Sequence, residues 1–182
     1  MSEAFAAVFD RHAAEIYRYL SRRVGASTAD DLTAETFLVA FRERARYDAS
    51  RPDARPWLYG IATNMLRGHH RTEVRRFRAL AKGEADPIAQ HDADGVLDRV
   101  AAGQAGRRLA AALARLSTGE RDTLLLFAWQ DLGYGEIAVA LGIPIGTVRS
   151  RLNSARKRLR SALADLARPS FPTSTQKRIQ HE

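Results

Sequence analysis

The chain has 182 residues, 45% of them hydrophobic, only 8% aromatic and none of them cysteine, so disulfides, a thiolate zinc site and a thiol redox switch are excluded. Its 29 basic against 21 acidic side chains leave a formal charge of +8, which points to an anionic partner, either nucleic acid or an acidic membrane. No apolar run is long enough to span a bilayer, and the start, "MSEAFAAVFDRHAAEIYRYL", has no basic segment followed by an apolar one, so a cytoplasmic protein is expected.

Strand-type alternation is nearly absent, and the alanine- and leucine-rich composition predicts an all-α protein. Phe5, Val8, Phe9, Ile16, Leu20 and Val24 form one helical stripe that ends near Gly25. Ser27 or Thr28 is then expected to cap a second helix, with Asp30 and Asp31 in its first turn, where the macrodipole favours anions. That helix, "ADDLTAETFLVAFRERARY", is apolar almost all round, through Leu32, Phe37, Leu38, Val39, Ala40 and Phe41. Two readings stay open for it. Either it is a central helix buried on several sides, or its acidic edge of Asp30, Asp31 and Glu35 beside Phe37 or Phe41 docks onto another protein.

Residues 47–56, "YDASRPDARP", predict a turn-rich loop, with Pro56 at the first position of the next helix. The stretch "WLYGIATNMLRGHHRTEVRRFRAL" predicts one helix that starts apolar (Trp57, Leu58, Ile61, Met65) and ends basic (Arg67, Arg71, Arg75, Arg76, Arg78). Trp57 reads as a core anchor rather than a base-stacking platform, while Tyr47 and Tyr59 suit either role. Asn64 is mid-helix, where asparagine has poor propensity; a base edge or a structural hydrogen bond explains it equally well. Within the segment 82–106, which carries Gly, Pro and the acids Glu84, Asp86, Asp92, Asp94 and Asp98, residues 82–100 read as an acidic linker between two helical domains, ending in a short helix. The polar tail from Pro169 is expected to be disordered.

In the second half, Ser117 and Glu120 have capping-box spacing and open a helix. Ala138, Gly142 and Val148 then supply the small residue, the left-handed glycine and the apolar anchor of a helix-turn-helix. Its second helix keeps Val148, Leu152, Leu159 and Leu163 in step and carries Arg149, Arg151, Arg156, Lys157, Arg158 and Arg160 with no acid between them. Ordinary solvated faces mix signs, because like charges at i,i+4 oppose a helix. A polyanion is the expected partner. Thr147, Arg149, Ser150 and Asn153 are placed to meet bases, and Arg151, Arg156 and Lys157 to meet phosphate or bases.

With these pieces in order, residues 4–167 resemble an RNA polymerase sigma factor of the small extracytoplasmic-function type. The residues that carry the likeness are "DDLTAETFLVAF", "RPWLYGIATNMLRGHHR" and "LSTGERDTLLLFAWQDLGYGEIAVALGIPIGTVRSRLNSARKRL". The resemblance implies region two at 4–80, a flexible acidic linker at 81–104, region four at 105–167 and a tail at 168–182. It further implies that Asp30, Asp31, Glu35, Phe37 and Phe41 contact the β′ clamp helices of core polymerase, and that region four meets the β flap. Arg51, Arg55 and Asn64 fall where a melted minus-ten base is captured, and Arg67, His70, Arg71 and Arg75 where the backbone is tracked. The minus-thirty-five element is left to the residues already named on the last helix. Promoter DNA, core polymerase and an anti-sigma factor are the implied partners. Here "DARPWL" stands where the family commonly has a Phe-Arg pair and a small or polar residue, and "IATN" lacks the basic residue that often precedes the asparagine.

A two-domain helix-turn-helix regulator that acts without polymerase is the alternative, but it gives no reason for a basic helix closing the first half. An enzyme is not expected. The histidines (His12, His69, His70, His91, His181) lack metal-ligand spacing with acids, and there is no glycine-rich phosphate loop. No catalytic residue, metal, cofactor, small-molecule substrate or membrane is therefore called for.

Overall fold

The computed structural model describes residues 2–47, 53–84 and 103–164, apart from the side chains of 2–4 and 46. Every regular element among them is helical: α1 (Ser2–Val24), α2 (Ala26–Glu43) with a 3₁₀ turn after it (Arg44–Arg46), α3 (Arg55–Gly68), α4 (His70–Lys82), α5 (Gln104–Arg115), α6 (Thr118–Gln130), α7 (Tyr134–Leu141) and α8 (Ile145–Ala164). The predicted tail, most of the acidic linker and Arg51 lie outside the described residues.

Helices α1 and α2 form a hairpin about Gly25, whose φ of 92° and ψ of 161° suit glycine alone. The Gly25 carbonyl already accepts the Ala29 N–H at 3.0 Å. The helix therefore starts earlier than the expected caps: Ser27 and Thr28 lie inside it, Gly25 is its N-cap, and Asp30 and Asp31 sit beyond its first turn. Nor is α2 buried all round. Ala29, Leu32, Thr36, Phe37 and Ala40 face inward, whereas Leu38 is 48% and Phe41 40% exposed.

The single helix expected from Trp57 to Leu80 is two. Asp53 Oδ1 accepts the Arg55 N–H at 2.9 Å where α3 begins, so Pro56 is its second residue. His69 (φ −106°, ψ 14°) ends α3 and opens α4: its N–H donates to the Leu66 carbonyl at 2.9 Å, and its own carbonyl accepts from Glu73 at 3.0 Å. The break turns α4 so that Glu73 and Phe77 both point inward.

The second half follows its sequence closely. Ser117 N–H donates to Glu120 Oε2 at 3.0 Å and Ser117 Oγ accepts from Glu120 N–H at 3.3 Å, which is the reciprocal cap that starts α6. Gly142 ends α7 at φ 62°, and Ile137, Val148 and Leu152 are buried where α7 and α8 meet. The halves are docked. Helix α4 lies along α5, and α3 crosses α7 so closely that a Cβ on Gly60 would stand 2.5 Å from the Ala140 carbonyl oxygen.

Candidate nucleic-acid and polymerase interfaces

On α8, Arg149, Ser150, Asn153 and Lys157 are exposed, and Thr147 is half-buried. Two other predicted DNA residues serve the fold in this state. The Arg156 guanidinium lies 4.9 Å from the Phe127 ring centroid, and Arg151 lies over Gly119, where an added Cβ would stand 2.8 Å from its Cζ. Both are half-buried.

In the first half, Asn64, Arg67, Arg71 and Arg75 are exposed along α3 and α4. Arg55 and His70 are instead drawn into the contact between halves. Arg55 Nη2 donates to the Gln130 carbonyl at 2.5 Å, and His70 Nδ1 accepts from Arg121 Nη2 at 2.8 Å. Because arginine only donates, the Nδ1 lone pair must be free, which puts the ring proton on Nε2. Tyr59, left open in the sequence, is fully buried and donates to Gln130 Oε1, while Trp57 is half-buried against Tyr47 at 5.0 Å between centroids.

The contact is built on four buried charges that the sequence reading missed. Arg23 Nε donates to Glu73 Oε1 and its Nη2 to Asp122 Oδ1, each at 2.5 Å, and Arg121 Nη2 lies 2.9 Å from Glu73 Oε2. The set is neutral overall, and all four residues are at most 3% exposed. Burial pushes the Asp122 carboxyl up, with Arg23 opposing it. Burial also weighs against a charged Arg23, but Tyr19, Glu73 and Asp122 outweigh it and keep the guanidinium protonated. Tyr19 accepts from Arg23 Nη1 at 2.5 Å and lies 3.0 Å from Thr63 Oγ1; burial pushes its phenol up to about 12, so it stays neutral. The sequence did carry one signal: "ERD" at 120–122 is a charge triplet at the head of an otherwise greasy helix, and all three residues are buried.

The outer face of α2 presents Asp30, Asp31, Glu35, Leu38 and Phe41. Phe41 meets Phe5 edge-on at 5.2 Å between centroids, with the Arg44 guanidinium 4.2 Å from its ring centroid. Phe37 is different: it is 4% exposed and packs edge-on against Phe9 at 4.9 Å, so it supports this face from within.

Residues 8–76 match the family model for sigma-70 region 2, and residues 106–159 match the model for sigma-70 region 4. The ECF RNA polymerase sigma factor SigL of Mycobacterium tuberculosis is 34% identical over 167 residues, covering 88% of this chain and 89% of that one. This chain belongs to the ECF RNA polymerase sigma factors. A second relative of this sigma factor, the probable RNA polymerase sigma-C factor of Mycobacterium bovis, is 34% identical over 146 residues, or 80% of this chain and 75% of that one. Among solved structures, CnrH in complex with the cytosolic domain of CnrY matches with a TM-score of 0.62 at 25% identity, over 92% of both chains. The sigma factor RpoE of Bartonella quintana, solved with the anti-sigma factor NepR, shares the fold with a TM-score of 0.62 at 20% identity, over 89% of this chain and 98% of that one.

In this sigma factor the region 2 match covers most of α1 to α4, and the region 4 match covers most of α5 to α8. The buried charges therefore join one matched region to the other. Among the described residues no helix is long and apolar enough to cross a membrane.

Proposed function

We propose that this sigma factor directs core RNA polymerase to promoters with the division of labour that its surfaces suggest. The outer face of α2 (Asp30, Asp31, Glu35, Leu38, Phe41) docks on the clamp helices of β′, and region four on the β flap. Exposed α8 residues (Arg149, Ser150, Asn153, Lys157), with the half-buried Thr147, read the minus-thirty-five duplex in the major groove, joined by Arg151 and Arg156 when their internal contacts open. Asn64, Arg67, Arg71 and Arg75, with Arg51, Arg55 and His70, hold the minus-ten strand. Region two then spans 4–80, the linker 81–104, region four 105–167 and the tail 168–182. The protein acts in the cytoplasm and catalyses no reaction of its own. An anti-sigma factor is its natural antagonist, since RpoE and CnrH were each solved with such a partner or with the CnrY cytosolic domain.

The physics is that of two weak grips made strong by a shared platform. Polymerase turns separate contacts into one bivalent engagement. Melting is driven by capture: flipping a base costs a few kcal/mol, which trapped bases and arginine–phosphate contacts offset. The observation that carries the reading is the exposed basic face of α8 on a helix-turn-helix, in one chain with an exposed acidic and apolar face on α2. Reconstitution of the purified chain with core polymerase on genomic DNA, followed by sequencing of transcript starts, tests it. Starts that share two spaced upstream elements are expected. A chain that ignores polymerase and binds a duplex tightly alone would be the two-domain regulator instead.

A further inference from the structure

The residues of α8 sort into three stripes. Val148, Leu152 and Ala155 are buried and make the apolar seam; Arg149, Ser150, Asn153 and Lys157 are open to solvent. Between them run Arg151, Ser154 and Arg158, spaced by three and four and so sharing one face. This third stripe meets the first turn of α6. Arg151 lies over Gly119, Ser154 Oγ donates to Glu120 Oε1 at 2.5 Å, and Arg158 Nη1 lies 3.5 Å from Glu120 Oε2.

Glu120 thus has two jobs in one carboxylate. Its Oε2 accepts from the Ser117 N–H at 3.0 Å and the Ser117 hydroxyl at 2.8 Å, closing the α6 cap, while Oε1 reaches the helix that faces DNA. The side chain is 7% exposed. Burial opposes its charge, but the Ser154 and Ser117 hydroxyls and Arg158 hold the carboxyl below its ordinary value, so it is an ionised, strong acceptor. Apolar burial is non-directional and fixes how near α8 lies, but it constrains rotation about the helix axis weakly. A hydrogen bond has direction. With side-chain tips about 6 Å from the axis, a rotation of roughly 20° carries them about 2 Å, enough to trade one base edge for another.

We propose that Glu120 is a positioning residue for upstream-element recognition: anchored by the α6 cap, it sets the rotation of α8 through Ser154 and so decides which base edges Arg149, Ser150 and Asn153 meet. The inference rests on the sigma-factor reading above.

The full chain, assembled with core polymerase, transcribes a pool of promoters randomised across the upstream element, and transcripts are counted by sequence. Ser154→Ala removes the directional hydrogen bond and leaves both the Ser117–Glu120 cap and the looser Arg158 contact in place. Its preference between best and poor sequences is expected to flatten by about fivefold or more, the discrimination of one base pair, with the thermal midpoint little moved. Ser154→Thr, which keeps the hydroxyl, restores the preference. An unchanged preference in Ser154→Ala, an equal loss on every sequence, or Ser154→Thr behaving as Ser154→Ala overturns the proposal. If the unaltered chain selects nothing from the pool, the sigma-factor assignment of these surfaces fails first, before any variant is compared.

Discussion

Arg23 and Asp122 are 99 residues apart in the chain and joined by a 2.5 Å hydrogen bond inside the protein. Each is at most 3% exposed, and each belongs to a different matched region. Removing one partner of a buried pair strands the other, at a cost of about 3–5 kcal/mol. Arg23→Met leaves both Glu73 and Asp122 without their shared cation. Calorimetry should show the thermal midpoint lowered by roughly 6–20 °C, at about 2–4 °C per kcal/mol for a chain of this size. A midpoint within 2 °C of the parent would mean that the quartet contributes nothing.

Gly60 is another point at which the halves touch. Its missing Cβ is what admits the Ala140 carbonyl, and a rigid backbone group cannot step aside as a flexible side chain can. Gly60→Val is expected to wedge α3 from α7 and enlarge the radius of gyration seen by small-angle X-ray scattering. Gly68→Ala is the control, because a Cβ there meets nothing within 4 Å. An unchanged scattering profile for Gly60→Val would show that the crossing relaxes without parting the halves.

Glu120 gives a pH dependence of defined sign. Its folded carboxyl titrates below the ordinary value of 4.5, so the unfolded chain takes up the proton first. Stability from this group is therefore present above about pH 4.5 and is lost as pH falls through the lowered folded value. In Glu120→Gln the acid limb of a stability-versus-pH curve should be shallower than in the parent. Identical limbs would rule the contribution out.

Leu38 is the most exposed large apolar side chain on α2, flanked by Glu35 and Phe41. Leu38→Glu touches no buried contact, so the midpoint should stay within about 2 °C, as for surface substitutions generally. Polymerase binding followed by fluorescence anisotropy should nevertheless weaken by at least about tenfold, the signature of a desolvated anchor at an interface centre. Equal affinities would move the docking face elsewhere.

What the sequence made legible was local. The Ser117–Glu120 cap and the Gly142 turn each depend on residues within four positions, and both stand where spacing put them. The α2 cap was misplaced because Gly25 offers its carbonyl two residues before the first hydroxyl side chain, and side-chain preference alone does not register that. The break at His69 was marked by Gly68 alone, and the apolar and basic residues that continue through it hid the change of backbone angle. Arg23, Glu73, Arg121 and Asp122 lay beyond any period, because their pairing spans about half the chain. The same pairing explains why Arg55 and His70, read as DNA contacts, are found bonded to the other half.

The internal employment of arginine also bears on how the free protein answers to ionic strength. Arg22 over Trp129, Arg23 on its two acids, Arg55 on Gln130, Arg121 on Glu73, Arg156 over Phe127 and Arg158 beside Glu120 already have occupants for their guanidinium groups. Counterions are displaced from a nucleic acid only by cations that actually reach its phosphates. The formal charge of +8 already subtracts the acids that hold Arg23, Arg121 and Arg158, so these contacts leave the net charge as it is and lower only the number of guanidinium groups able to reach phosphate.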